Sequence, residues 1–263
     1  MDFLSSYSAA VGIALALAMY CSMIGLQVYG RRLGMGRAQR DPDGHGSGLG
    51  AVEGPLYGMF GLLLAFTFAG ATQRFQDRRA MILDEAKAVS TAYSAFDLLP
   101  EPVRDDAHKR LGTYLDQHIE VFGKVSDPEA FHRAYVRLGA IGDELWEVVT
   151  AELRTDRSRS YANSILPPLT EVFDIAMARR ATLGSHPPMI IYLLLHALAL
   201  VCSFLAGFAS GPAKHPSWVH FHLLAAAIAA TTYVTLDLEY PRLGLIRVDA
   251  ADALLAELRA TMK

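Results

Sequence analysis

Aromatic side chains and charges follow one another along residues 53–79 in an order that suits the passage of ions. Within the uncharged run 54–73, Phe60, Leu64 and Phe68 lie within about 80° of each other at 100° per residue. Rings of apolar side chains around an axis constrict a path and gate it by dewetting. The stretch therefore predicts a pore neck made of these three residues.

Charges stand at both ends of this uncharged run. Glu53 precedes it. Three arginines follow it: Arg74, Arg78 and Arg79. Repeated once per subunit around an axis, these side chains predict rings of charge at the mouth or vestibule of a pore. A structural interpretation stays open for each, because a carboxylate stabilises a helix N-terminus and arginines pair with acidic residues along a stalk.

Small side chains form a second stripe on the same segment, with these members: Gly58, Gly61, Ala65 and Ala69. Small residues let helices approach closely in lipid, so we interpret this stripe as a helix-packing surface. The neighbouring aromatic stripe has the same kind of alternative, since its rings would equally suit contact with lipid or with another helix.

A second group of charges surrounds a proline near the C-terminus, at Asp237, Glu239 and Arg242. It predicts either a packing contact with the soluble part of the chain or a regulatory cluster that binds a cation. We find no metal-ligand spacing, nucleotide-binding loop or nucleophile–base arrangement. The sequence therefore predicts no enzyme, no resident metal and no cofactor. With a net charge of -3 and no basic tail, it also predicts no nucleic-acid partner.

The chain is 52% hydrophobic and 19% charged, and residues 74–180 hold 33 of its 51 charged residues. A span needs about 20 mostly apolar residues, so the pattern predicts a multi-pass protein of the lipid bilayer with one soluble insert. The predicted segments are a first span at 1–30, a loop at 31–53, a second span at 54–73, a soluble domain at 74–180, a third span at 187–210, a fourth span at 216–236 and an amphipathic tail at 237–263 that packs on the soluble domain. The four spans form two hairpins.

The soluble insert is predicted to be all-α. Apolar residues recur at alternating steps of three and four along 82–96, 103–121 and 131–148, which is the helical period. Prolines mark the breaks at 100–102 and at 128. No breaker separates the second span from the first of these stripes, so one helix is expected to leave the bilayer and continue into water.

Positive charges near the spans suggest the orientation. We count five on the side of the hairpin loops and eight on the side of the insert. The positive-inside rule then places the insert and both termini in the cytoplasm.

Two motifs resemble a known family. The first is Arg74-Phe75 with Arg78-Arg79 and Glu85-Ala86, and the second is Asp237-Leu238-Glu239 with Pro241-Arg242 and Gly244. Together they are similar to bacterial membrane proteins described as bestrophin-like, a family of unknown function that is distantly similar to the bestrophin ion channels.

The resemblance implies a ring-shaped homo-oligomer, a pentamer in bestrophins, in a bacterial inner membrane, with a neck lined by the second span. Bestrophins also carry a dense acidic run after the fourth span that binds calcium, whereas the acidic residues here are scattered. From the resemblance as a whole we expect a channel that conducts small inorganic ions passively. The alternative is a membrane-anchored sensor or scaffold that binds a partner through its helical insert and conducts nothing.

Overall fold

A computed structural model of the chain describes residues 9–40, 49–155, 159–215, 217–242 and 244–262, and the regular elements within them are all helices. The α-helices are α1 (Ala9–Arg40), α2 (Leu49–Ala95), α3 (Val103–Gly123), α4 (Pro128–Leu153), α5 (Ala162–Leu183), α6 (Met189–Ala209), α7 (Trp218–Glu239) and α8 (Asp249–Thr261). Short 3-10 turns follow α2 and precede α5. The predicted all-α fold is confirmed. Residues 1–8 of the predicted first span and 41–48 of the predicted loop lie outside the described residues.

Four helices are long and apolar enough to cross a membrane: α1, α2, α6 and α7. The second of them is a single helix of 47 residues, or about 70 Å at 1.5 Å per residue. It passes from the uncharged run 54–73 into the charged sequence without interruption, as the absence of a breaker predicts. Only the uncharged part suits the hydrocarbon layer, so we treat that part as the membrane-spanning segment of α2.

Helix replaces much of the loop that the sequence predicts at 31–53. α1 continues to Arg40, and α2 already begins at Leu49. The glycines at 34 and 36 suggested a loop, but Gly34 is buried against the backbone of Phe208 instead. This close contact with α6 explains why a glycine is found inside a helix there.

The described chain divides into two compact units, a membrane unit (7–74 and 186–245) and an insert unit (75–185 and 246–263). In the membrane unit α1 packs along α6 with their backbones in contact. A Cβ at Gly30 would overlap the Phe204 carbonyl oxygen, and a Cβ at Gly207 would overlap that of Gln27. Such overlap means that this seam requires glycine on both helices.

The insert unit has an apolar core to which five helices contribute. Its fully buried members include Ile82 and Val89 of α2, Leu111 and Leu115 of α3, Leu145 and Val149 of α4, Ile165 and Leu169 of α5, and Leu255 of α8. Of these, Ile82, Val89, Leu111 and Leu145 lie on the stripes that the sequence predicts. The start of α4 is fixed locally, since the Asp127 carboxylate accepts hydrogen bonds from the N–H groups of Glu129 and Ala130 at 3.1 and 3.0 Å.

The α1–α6 seam leads to a first prediction. Gly207→Ala should lower the thermal stability of the purified protein in detergent, because the new methyl group forces α1 and α6 apart. Gly25→Ala is the matched control, since no atom lies within 4 Å of a Cβ there. Alanine is the better helix former by about 1 kcal/mol, so the control should melt at the same temperature or higher. Equal melting of both variants would contradict the close contact.

Candidate functional site

Arg74, the first charge after the uncharged run of α2, binds a carboxylate of α7. Its Nε donates to both oxygens of Glu239, at 2.9 and 3.1 Å, and its Nη2 donates to the same carboxylate. Glu239 is 1% exposed and Arg74 30%. The bidentate pair therefore fixes the end of α7 to the point where the charges of α2 begin.

A histidine and a tyrosine complete the surroundings of this ion pair. Nδ1 of His186 lies 3.6 Å from Glu239 Oε2, and its ring stacks on Tyr240 with centroids 4.7 Å apart. Arg74 thus supplies the counter-charge that a buried carboxylate requires, and His186 lies beside the pair.

Asp237 organises the short loop that follows α7. Its two carboxylate oxygens accept the backbone N–H of Leu245 at 3.0 and 2.9 Å, and the Tyr233 hydroxyl lies 3.3 Å from one of them. A Cβ at Gly244 would overlap the Asp237 carboxylate, so only glycine allows the loop to close around it. The second family motif is therefore a carboxylate-centred turn.

These contacts bear on the predicted regulatory cluster of Asp237, Glu239 and Arg242. The two carboxylates are 0% and 1% exposed and take their hydrogen bonds from protein donors. The described residues contain no group of three or more His, Cys, Asp or Glu side chains placed to hold a metal ion. All of these contacts lie within the membrane unit, so packing on the soluble part of the chain and a regulatory role both stay predictions.

The other two arginines of the predicted vestibule differ in their surroundings. Nη2 of Arg78 donates to the carbonyl oxygen of Ser185 at 3.2 Å, so this side chain is tied to the end of the α5 segment. Arg79 is exposed, and its guanidinium carbon lies 6.0 Å from the centre of the Phe75 ring. Arg79 therefore offers the most accessible positive charge of the three.

A buried ionic network lies in the core of the insert unit, around Glu85 of α2. Nη1 of Arg179 (α5) donates to one oxygen of Glu85, and His118 Nδ1 (α3) lies 2.8 Å from the other. Nη2 of Arg179 also donates to Asp252 of α8 at 3.3 Å, and its guanidinium lies 4.2 Å from the Phe122 ring centre. Three helices thus meet at the Glu85 carboxylate, and Arg179 links it to α8.

Burial alone would raise the pKa of the Glu85 carboxyl, which lies well past the membrane-spanning part of α2. The hydrogen bond and charge of His118, together with the charge and hydrogen bond of Arg179, outweigh that effect and lower the pKa below its usual value. The sequence suggested Glu85 only as a partner for stalk arginines. Its pairing with distant residues on α3 and α5 could not be seen from local spacing.

The predicted neck and packing residues lie on different faces of α2. Phe60 is 6% exposed and belongs to a buried apolar cluster with Met23, whereas Leu64 is half-buried and Phe68 is 38% exposed. Gly58 and Gly61 are exposed, and no atom of the chain lies within 4 Å of a Cβ at either. Ala65 and Ala69 are exposed as well, so the surface of this small-residue stripe is available to lipid or to another subunit.

Sequence reasoning missed the glycines that do pack within the subunit. They form two G-x3-G spacings, Gly30 with Gly34 on α1, and Gly207 on α6 with Gly211 in the turn that follows it. This spacing is the known signature of close helix pairs in membranes. The signal for this close packing was therefore present in the sequence.

Four apolar helices that can cross a membrane, with a helical insert between the second and the third, define a polytopic α-helical membrane protein. The chain belongs to the bestrophin-like family, because the family model described as Bestrophin-like domain matches residues 10–253. The suspected resemblance is confirmed. No curated protein and no solved structure matches the chain.

The buried network yields a second prediction. Glu85→Gln should lower the free energy of unfolding by about 3–5 kcal/mol, because it leaves the buried Arg179 with only the partly exposed Asp252 as a counter-charge. Urea denaturation of the protein in detergent measures this loss. Glu120→Gln is the control, since Glu120 pairs with Lys124 at the surface of α3 and should cost little.

The difference in stability between the parent protein and the Glu85→Gln variant should depend on pH. Because folding lowers the pKa of Glu85, its contribution to stability is complete above the usual pKa of a carboxyl and is lost as the pH falls through the folded value. The stability gap between the parent and Glu85→Gln should therefore be wide at pH 7 and should close in acid. A gap that widens in acid would contradict the ionised network.

Proposed function

We propose that this protein forms a ring-shaped homo-oligomer in a bacterial inner membrane and conducts small inorganic ions passively along a neck lined by α2. The observation that carries the proposal is the membership of the bestrophin-like family over residues 10–253, which points to an ion channel. A pentamer is the expected ring, by the resemblance to bestrophins.

The exposed surface of α2 supports this proposal. Its membrane-spanning part presents a broad apolar face without partners inside the subunit, including Leu62 and Phe66 at 56% and 67% exposure. A subunit with few spans encloses a pore only by joining other subunits around an axis. A helix with such a free apolar face is a natural lining or contact helix of a ring.

The three predicted neck residues differ in how deeply they are buried within the subunit. Phe68 has the free surface that a side chain facing an axis requires, and Leu64 has part of it. Phe60 packs inside the subunit and would support the other two from behind. The proposed constriction therefore centres on Phe68.

The third prediction tests the neck. Phe68→Ala should raise ion flux into liposomes while the oligomer still assembles, because a wider ring retains water. Phe66→Ala is a matched control, as it removes the same ring from an exposed position on a different face of α2 and should leave the flux unchanged. Phe60→Ala should instead lower the melting temperature, because it opens a cavity in the core of the membrane unit.

Background flux in an assembled Phe68→Ala protein, for both small anions and small cations, would contradict the channel proposal. The membrane-anchored scaffold would then be the better account. Increased flux with Phe66→Ala but not with Phe68→Ala would keep the channel and move the constriction to the other face of α2.

A fourth prediction tests the proposed orientation, with the insert in the cytoplasm. In a background with Cys21 and Cys202 replaced by alanine, Ser126→Cys and Lys214→Cys each create one exposed thiol. An impermeant maleimide added to intact cells should label Lys214→Cys and not Ser126→Cys. Lysed cells provide the control in which both react, and labelling of Ser126→Cys in intact cells would reverse the orientation.

A further inference from the structure

Four helices, α1, α2, α6 and α7, contribute to the apolar core of the membrane unit. It contains Met19 and Met23 from α1, Phe60 from α2, and Leu195 and Ala199 from α6. Polar residues of α1, α2 and α6 lie beyond these apolar ones, towards the loops that join the spans. Those residues form a separate polar layer.

These polar residues lie one or two helical turns from members of the apolar core. Gln27 follows Met23 by one turn on α1, Ser203 follows Ala199 by one turn on α6, and Glu53 precedes Phe60 by two turns on α2. Gln27 and Ser203 are 0% exposed, and Glu53 is half-buried. One carboxylate, one amide and one hydroxyl thus lie at the loop end of the core.

Two contacts place these side chains at the same level of the bundle. A Cβ at Gly207, one turn after Ser203, would lie 2.7 Å from the Cα of Gln27. The Tyr57 hydroxyl, one turn after Glu53, donates to the carbonyl oxygen of Cys202 at 3.4 Å. Both helices therefore meet α6 between residues 202 and 207.

Several polar atoms of this layer are buried without a hydrogen bond. They are Gln27 Oε1, Gln27 Nε2, Ser203 Oγ and Glu53 Oε1. At membrane depth an unsatisfied polar group costs several kcal/mol. Three of these atoms are oxygens on three different helices, so a bound group that attracts oxygen would remove most of the cost.

We propose that Gln27, Glu53 and Ser203 form a binding site for a monovalent cation, Na⁺ or K⁺, in each subunit. Hard cations prefer carboxylate, amide and hydroxyl oxygens, and a single carboxylate neutralises a single charge. Half-buried Glu53 gives access from the side of the loops. The site lies within one subunit, so the proposal does not depend on whether the oligomer conducts.

Arg31 is the charged neighbour that competes with a cation. It lies one turn beyond Gln27 on α1, and its Nε is buried without a hydrogen bond. Its Nη2, however, donates to the carbonyl oxygen of Ala213 at 3.1 Å, which directs the guanidinium to the loop after α6. Arg31 should therefore weaken cation binding without replacing it.

The fifth prediction uses the full-length protein in detergent, melted in NaCl, in KCl and in N-methyl-D-glucamine chloride at equal ionic strength. In Na⁺ or K⁺ at a hundredfold excess over Kd, the parent protein should melt about 5 °C or more above its melting temperature in N-methyl-D-glucamine chloride. This rise should saturate as the cation concentration increases. Glu53→Gln should abolish the shift, and Ser203→Ala should reduce it. The control Glu171→Gln, an exposed carboxylate of α5, should keep it in full.

Other results would overturn the proposal. If the parent protein melts at the same temperature in all three salts, it binds no cation. If the rise in melting temperature with Na⁺ or K⁺ survives in Glu53→Gln, the cation binds at another place. A melting temperature that depends on pH through Glu53 but not on cations would assign the site to a proton. Arg31→Gln should strengthen the cation shift, whereas a shift that exists only in this variant would identify Arg31 as the native partner of Glu53.

Discussion

Three carboxylates that are nearly inaccessible to water determine how both units are assembled. Glu85 joins α2, α3, α5 and, through Arg179, α8 in the insert unit. Asp237 and Glu239 close the loop after α7 and bind Arg74 in the membrane unit. A buried carboxylate is tolerated only with donors on all sides, so each of these residues dictates where its neighbours must lie. The two family motifs contain all three.

The sequence was most informative where one physical cause acts along one segment. Hydropathy marks the four apolar helices because a span has a fixed minimum length, and the period of apolar residues marks the insert helices because each buries one face. The absence of a breaker after Gln73 likewise indicates the continuous α2. These features depend on neighbours within about four residues, which a single sequence displays directly.

The candidate site was less predictable because it depends on which helix lies opposite which. A helical wheel groups Phe60 with Phe68, yet it cannot show that Met23 and Cys202 cover the first and leave the second exposed. The partners of Glu85 lie far along the chain on α3 and α5, and the donors of Asp237 come from a loop whose closure needs Gly244. Such pairings follow from tertiary contact, for which local spacing carries no signal.

The glycine seam between α1 and α6 also has a genetic consequence. Glycine codons all begin with two guanines, and every missense change of one nucleotide introduces a residue with at least a Cβ atom. At Gly30, Gly34, Gly207 and Gly211 that atom would overlap the backbone of the opposite helix. No single-nucleotide missense variant at these codons is conservative, so the seam should be among the least mutable parts of the gene, although its residues have no side chain.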